Sequence, residues 1–500
     1  MSTEHMHPFP ADEKKTESIE NVKAPILKLD KYGVPLTPQP TDDPEDPLNW
    51  SGLYRVFLLF QVSFLAFLGT YNTAIINPAY SELSARFGIS TITASYQTTV
   101  VIAVNGICPF IFIPFANAYG RRPVYLVTTL IGALSALGCA YAHNFGQLVG
   151  LRVLNGIFPV AIALGVGTVN DLFCLHERGR ALGLYTVMTT TGAHFAPIPG
   201  GLIGQFLGWQ WIFKFAAITN SVCLIFIFFF LPETLYVRDL PMPSASMSNP
   251  SQSSFQRYLA RMGFGKRFPG RKLRLRDFFL PYMKILRYPT VVFPAIYFGT
   301  QYGLGSTLPA VTVSHIFAQE FGWDTLQIGA AYGTALLIGA FLGETAGGWV
   351  VDAIMNRARQ RGGPSAPYEI RLKAVWTGEI IIPVGLLWYG FSLQFGAPWI
   401  VPIIGMGVAC FGVQCITTVM YTYSADCHSS NVAEVAQVFN FIRQVIGMTF
   451  AFYTIVLAEA MKGYHWLFIF FAGVGSVLAF IPILVLMWKG EAIRAWENQD

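Results

Sequence analysis

Twelve stretches of about 20 mostly apolar residues divide this chain, and each is long enough to cross the hydrocarbon core of a bilayer as a helix. They lie at roughly 54–76, 96–115, 124–142, 147–173, 181–204 and 211–231, then at 290–316, 325–350, 373–395, 398–423, 434–458 and 464–488. Inside lipid every backbone N–H and C=O must bond within the protein, so such segments fold as helices. Composition agrees: 53% of the 500 residues are hydrophobic and only 12% charged, where an ordinary soluble domain carries about 25%. That balance excludes a disordered chain, a nucleic-acid-binding domain and an ordinary cytosolic enzyme. The fold expected is an all-α membrane protein of twelve transmembrane helices in two six-helix halves, residues 54–231 and 290–488. A tail over 1–53, a central loop over 232–289 and a short tail over 489–500 complete it.

Charge sets the orientation, because Lys and Arg are retained on the cytoplasmic side. With both termini cytoplasmic, 28 of the 33 Lys and Arg fall in the tails and the cytoplasmic loops. The exceptions are Arg86, Arg152, Lys214, Arg443 and Lys462. The tail is polar and Pro-rich, is not a signal peptide, and is expected to be disordered to about Asp46. Asn49-Trp50-Ser51 is a sequon, expected to stay unmodified on the cytoplasmic side. The central loop contains a Ser/Pro-rich linker and a basic stretch from Arg257 to Arg276 with interleaved aromatics, expected to lie on anionic lipid rather than nucleic acid. LRDFFLPYMKILRYP reads as an in-plane helix leading into span 7. The seven cysteines show no metal-ligand spacing and are expected to be free thiols; no metal is expected.

The halves share punctuation. FANAYGRRPVYL follows span 2 and GGWVVDAIMNRARQR follows span 8, both short polar turns rich in Arg, as in internally duplicated transporters. Over about residues 44–488 the chain resembles a fungal Major Facilitator Superfamily transporter of the twelve-span drug:proton antiporter type. The loop 2–3 motif of that family is matched by Asn117, Gly120, Arg121, Arg122 and Pro123, with Ile113 in place of its first Gly and Asn117 in place of its Asp; the second half keeps Gly348 and Asp352. Arg152 and Gly156 in RVLNG resemble the span 4 motif. GAHFAPIPGG in span 5 is similar to the antiporter signature through Gly192, Pro197, Gly200 and Gly201, with Ala196 where Gly is usual. The strings DPEDPLNWS, LPETL and YTYSADCHSSNVAEVAQVFNFIRQVIG suggest the fungal subgroup. The resemblance implies a leak-resistant contact between halves at the span 5 motif, cytoplasmic gating by the loop motifs, and a central cavity walled by spans 1, 4, 7 and 10.

Ionisable residues within spans are functional candidates. For proton coupling these are Glu344, Arg152, His194 and Arg443; Arg152 is alternatively an ion that ties helix ends. A similar depth allows a Glu344–Arg443 pair, and Glu379 reads as interfacial, close to Lys373. Helical spacing combined with the resemblance offers Tyr71, Asn72, Asn155, Gln301, Gln414, Tyr421 and Asn440 as substrate contacts, each with an interhelical hydrogen bond as the equal alternative. Asp171, Glu177, Arg178 and Arg180 form a cytoplasmic charge cluster expected to exchange partners, with a merely solvated loop as the equal alternative.

The function expected is proton-coupled export, by alternating access, of a small amphipathic or cationic organic molecule such as a drug or secondary metabolite. No cofactor is expected besides the proton gradient, and no partner besides substrate and lipid. The chain is expected to be a monomer in the plasma membrane. Uptake of polyamines or similar cations is the alternative, and a non-transporting sensor a remote one. No nucleophile or metal string and no Walker A motif is present, so neither an enzyme nor an ATP-driven pump is expected.

Overall fold

A computed structural model describes residues 28–29, 36–236, 262, 273–362, 368–428 and 431–497. Span 1 is Gly52–Ala74. Span 2 is Thr91–Tyr119, capped by the Ser90 hydroxyl, which accepts from the Thr93 N–H. Span 3, Arg121–Ala140, follows after one residue. That residue is Gly120 at φ +105°, in the region that a side chain disfavours. Span 4 is broken between Phe145–Asn155 and Val160–Leu172, with Pro159 before the second piece. Span 5 is broken between Leu175–Phe195 and Pro197–Leu207, because Pro197 has no N–H to continue the ladder. Span 6 is Trp209–Phe230.

An in-plane helix, Arg276–Ile285, precedes span 7. It buries Tyr282 and Ile285 and leaves Phe279, Leu280 and Met283 exposed, the pattern of a helix at the membrane surface. Span 7 runs from Pro289–Tyr302 through a π-helical turn, Gly303–Thr307, into Leu308–Glu320. Spans 8 to 11 are Thr325–Gly362, Val375–Gln394, Ile400–Cys427 and Val432–Ala460. Span 12 runs from Tyr464–Gly473 through a second π turn, Val474–Leu478, to Ile481–Glu497. Ten helices among the described residues are long and apolar enough to cross a membrane. The broken spans 5 and 7 complete the twelve.

Each half has its own hydrophobic core, one from Trp50 to Leu231 and the other from Ile285 to Leu486. Apolar residues left exposed, such as Ile225, Phe229, Phe341 and Trp488, point outward on the bundle, where acyl chains rather than water satisfy them. The start of span 1 and the end of span 12 lie at one end of the bundle, called the inner end below. There Glu497 accepts from the Thr290 N–H at 3.0 Å, tying the end of span 12 to the start of span 7.

The tail departs from expectation. Residues 36–53, expected to belong to a disordered tail, pack under the first half. Asp46 is fully buried and accepts from the Thr41 and Leu48 N–H groups, and the Tyr236 hydroxyl donates to Asp43. The Asp carboxylates of DPEDPLNWS supply acceptors that composition cannot reveal. Apart from residues 28–29, the earlier tail lies outside the described residues, as do the Ser/Pro linker and nearly all of the basic stretch. Its Met262 carbonyl accepts from Arg122.

Candidate functional site

Spans 5 and 8 meet through small residues, and this contact joins the halves. A Cβ added at Gly201 would lie 2.8 Å from the Thr325 carbonyl oxygen and 3.0 Å from Gly329 Cα. Gly333 packs on Ile198 in the next turn. Gly192 and Gly200 instead face span 1, where a Cβ would strike the Phe67 and Ile75 carbonyl oxygens. The span 5 signature therefore serves two contacts, one within the first half and one between halves.

The outer end is closed across the halves by polar pairs. Ser81 and Ser314 hydroxyls lie 3.2 Å apart, and Ser314 also donates to the Pro78 carbonyl. Thr91 meets His315 Nδ1 at 2.6 Å, and the Thr325 hydroxyl donates to Glu82 at 2.7 Å. Towards the inner end, Phe110 of span 2 stacks edge-on against Phe441 of span 11 and Tyr282 of the in-plane helix.

Between these layers lies a cavity of about 80 Å³. The first half lines it with Thr70, Thr73, Asn77, Thr98, Asn105 and His194; the second half contributes Tyr302, Ser306, Thr307, Tyr332, Arg443 and Gln444. His194 Nε2 sits 3.1 Å from the Ser306 hydroxyl across the halves. The Arg443 guanidinium lies 4.6 Å over the Tyr302 ring and donates to Asn440 Oδ1 at 2.9 Å. A larger cleft of about 850 Å³ runs between spans 8 and 10. Its walls include Ile338, Leu342 and Ile404, all exposed on the apolar exterior, so it is a groove for lipid chains rather than a polar site.

The structure brings together His194 and Arg443 of the four coupling candidates and separates the other two. Arg152 is fully buried in the first half, donating to the Asn72 and Thr73 carbonyls at the end of span 1 and to Asn155. Those contacts are the helix-end tie that was its alternative reading. Glu344 faces span 10, where Thr418 donates to it at 3.5 Å. The Glu344–Arg443 pair that similar depth allowed does not form, because equal depth says nothing about which helix face a residue occupies. Glu379, read as interfacial, is buried against span 7; the Tyr297 hydroxyl and Gln301 amide donate to it.

None of the seven substrate-contact candidates lines the cavity. Tyr71 stacks on Phe67 and Phe195, and Tyr421 packs against Phe298 and Phe439. Asn72 donates to Asn220, Asn155 to Ser135, and Gln301 to the Gly475 carbonyl. Gln414 is buried facing Gly343 of span 8. Asn440 sits next to the cavity, holding Arg443 and donating to the Asn105 carbonyl. Cavity residues come from spans 1, 2, 5, 7, 8 and 11 rather than 1, 4, 7 and 10. The signal missed was Thr98 with Asn105, seven residues apart, and Tyr302 with Ser306, four apart, each pair sharing one helix face.

At the inner end the loop 2–3 motif finds a carboxylate elsewhere. Glu233 of LPETL accepts from the Arg121, Arg122 and Leu235 N–H groups, capping span 3 where orphan donors are concentrated. A side chain at Gly120 would overlap it. Arg121 pairs with Asp171 at 2.9 Å and Arg55 with Glu177 at 3.0 Å, while Arg122 donates to the Phe228, Leu231 and Met262 carbonyls. Asn117 lies in the last turn of span 2, Gly348 has open space beside it, and Asp352 is exposed.

Comparison with known proteins matches this arrangement. Residues 62–452 match the family model of the Major Facilitator Superfamily. The chain is 29% identical over 407 residues to the MFS transporter cpaT of Aspergillus oryzae, covering 81% of both proteins. It is 25% identical to the efflux pump radE of Floropilus chiversii, covering 91% of this chain and 84% of that one. Among solved structures it is similar to an inward-facing bacterial homologue of the human lysosomal transporter Spinster, with a TM-score of 0.55 at 16% identity, covering 90% of this chain and 98% of that one. With two six-helix halves closing on a shared polar cavity, and a family match across most of its length, the chain is a multi-pass membrane transporter that belongs to the Major Facilitator Superfamily.

Proposed function

We propose that the protein is a secondary active exporter of a small organic molecule, working by alternating access in the plasma membrane as a monomer and driven by the proton gradient without a bound cofactor. The carrying observation is the cavity shared by both halves and closed at the outer end by the Ser81–Ser314, Thr91–His315 and Glu82–Thr325 pairs. These contacts are individually modest, about 1 kcal/mol for a neutral pair and about 1.5–3 kcal/mol for the one to the Glu82 carboxylate, so the outer end can open as the inner end closes. The efflux pump radE is a relative over most of the chain, which favours export.

Proton coupling falls to the carboxyls held inside the second half. Glu344 has one hydroxyl donor and no cationic partner within 4.0 Å among the described residues. His194 lies in the cavity itself. The polyamine-uptake alternative finds no support in the cavity, since no carboxylate among the described residues lines it.

The test is efflux from reconstituted liposomes holding a mixture of fluorescent organic probes, with an imposed proton gradient. Protein-dependent efflux of at least one probe, abolished when an ionophore collapses the gradient, is expected. Efflux indifferent to the gradient would refute proton coupling, and net uptake under every gradient would refute export.

A further inference from the structure

We infer that the transported molecule carries a carboxylate, which binds Arg443 as its counter-ion in the cavity between the halves. The inference rests on the transport reading above and sharpens its substrate class, against the cationic molecule expected from sequence.

Among the described residues, Arg443 is the only Lys, Arg, Asp or Glu lining that cavity. A guanidinium offers five N–H donors and keeps its charge in proteins. Here its described partners are one amide oxygen, on Asn440, and the face of the Tyr302 ring. Its Nε is buried without an acceptor. No carboxylate lies within 4.0 Å of it among the described residues. The two carboxyls deepest in this half are engaged elsewhere, Glu344 with Thr418 on span 10 and Glu379 with Tyr297 and Gln301. Arg443 is half-buried, and a cation held inside a membrane span with no carboxylate beside it is costly. A bound anion restores the missing acceptors, and a carboxylate fits the guanidinium fork with two parallel hydrogen bonds.

The surrounding groups suit an anion as well. Ser306, Thr307, Asn105 and Gln444 present hydroxyl and amide donors to the same space. The volume, about 80 Å³, holds on the order of five to eight waters. That is room for a carboxylate and the first part of its carbon frame; the rest of a larger molecule enters as the halves move apart. A cationic substrate would meet Arg443 with no carboxylate at the cavity wall to offset the repulsion.

The test uses the full-length protein in lipid nanodiscs, with benzoate, benzamide and benzylamine as probes of one shape and three charges. Binding is read by ligand-induced thermal stabilisation and by titration. Benzoate is expected to bind at least tenfold more tightly than either analogue. R443Q is expected to abolish that preference, and R443K to retain part of it. The discrimination is read on the unmodified chain, so it holds even where R443Q fails to fold. Equal binding of the three probes, preference for benzylamine, absence of benzoate binding, or unchanged benzoate affinity in a folded R443Q would each overturn the proposal. Gradient-driven flux is scored separately: a benzoate preference without flux would sustain the anion site and remove the transport reading, whereas flux of cationic probes unaltered in R443Q would do the reverse.

Discussion

Adding one methyl group at Gly201 should open the outer end. In the closed arrangement that Cβ would sit 2.8 Å from the Thr325 carbonyl oxygen and 3.0 Å from Gly329 Cα, against a favourable separation of about 3.5–4.0 Å. Spans 5 and 8 must therefore part by roughly half an ångström to one ångström. Both obstacles are backbone, so no rotamer change relieves them. Overpacking of this kind costs about 1–3 kcal/mol. The gain in helix propensity from Gly to Ala, about 1 kcal/mol, is common to every conformation in which span 5 stays helical and cancels from the equilibrium between them. The net effect is a shift of about 5- to 150-fold away from the closed outer end, larger for Gly201→Val. Ser314, fully buried at the outer contact, reports it. With Ser314→Cys in place, an impermeant maleimide added outside should label Gly201→Ala faster by that factor. Six native cysteines are buried and the seventh, Cys427, ends span 10 at the inner end, so background labelling is small. Gly183→Ala, also on span 5 but with open space beside it, should leave the rate unchanged. Because Gly329 meets Pro197 and Gly201 across the same seam, Gly201→Ala with Gly329→Ala should cost less than the two singly combined. Unchanged Ser314→Cys labelling in well-expressed Gly201→Val would show that this seam does not hold the outer end closed.

Three further outcomes are expected. Glu344→Gln should keep substrate-for-substrate exchange and lose gradient-driven flux in liposomes; unchanged gradient dependence would make Glu344 structural and leave His194 as the coupling candidate. Glu233→Gln replaces an acceptor of three backbone N–H groups with an amide whose NH₂ faces some of them, at a cost of about 1–3 kcal/mol. Its apparent melting temperature should fall while Glu491→Gln, on the exposed side of span 12, melts as the unmodified chain does. Ser253→Cys should resist an impermeant thiol reagent in intact cells and react after permeabilisation; ready labelling of sealed cells would invert the orientation.

Much of this was legible in the sequence, and for physical reasons. The bilayer permits only helices of about 20 residues, so apolar run length located all twelve spans; Lys/Arg placement supplies an orientation that the Ser253→Cys labelling tests. The glycines and proline of GAHFAPIPGG marked a close approach because only a missing side chain allows one: Gly201 does lie against span 8, although Gly192 and Gly200 serve span 1.

Which buried polar group meets which was decided by tertiary structure. Helical spacing identifies the polar face of a span but not the neighbour that covers it. Asn72, Asn155 and Gln301 were correctly seen as buried polar residues, yet they bond to Asn220, Ser135 and Gly475 inside their own halves. Depth placed Glu344 and Arg443 at the same level, but helix rotation turns one towards Thr418 and the other towards Tyr302. Loss of the acidic residue at Asn117 suggested a missing charge, while the carboxylate was supplied 116 positions later by Glu233, held over the N-terminus of span 3 by the turn at Gly120. One-dimensional pattern fixes what a residue must avoid, namely water or lipid. The partner that completes its hydrogen bonds depends on how twelve helices rotate against one another, and that rotation is a property of the packed bundle.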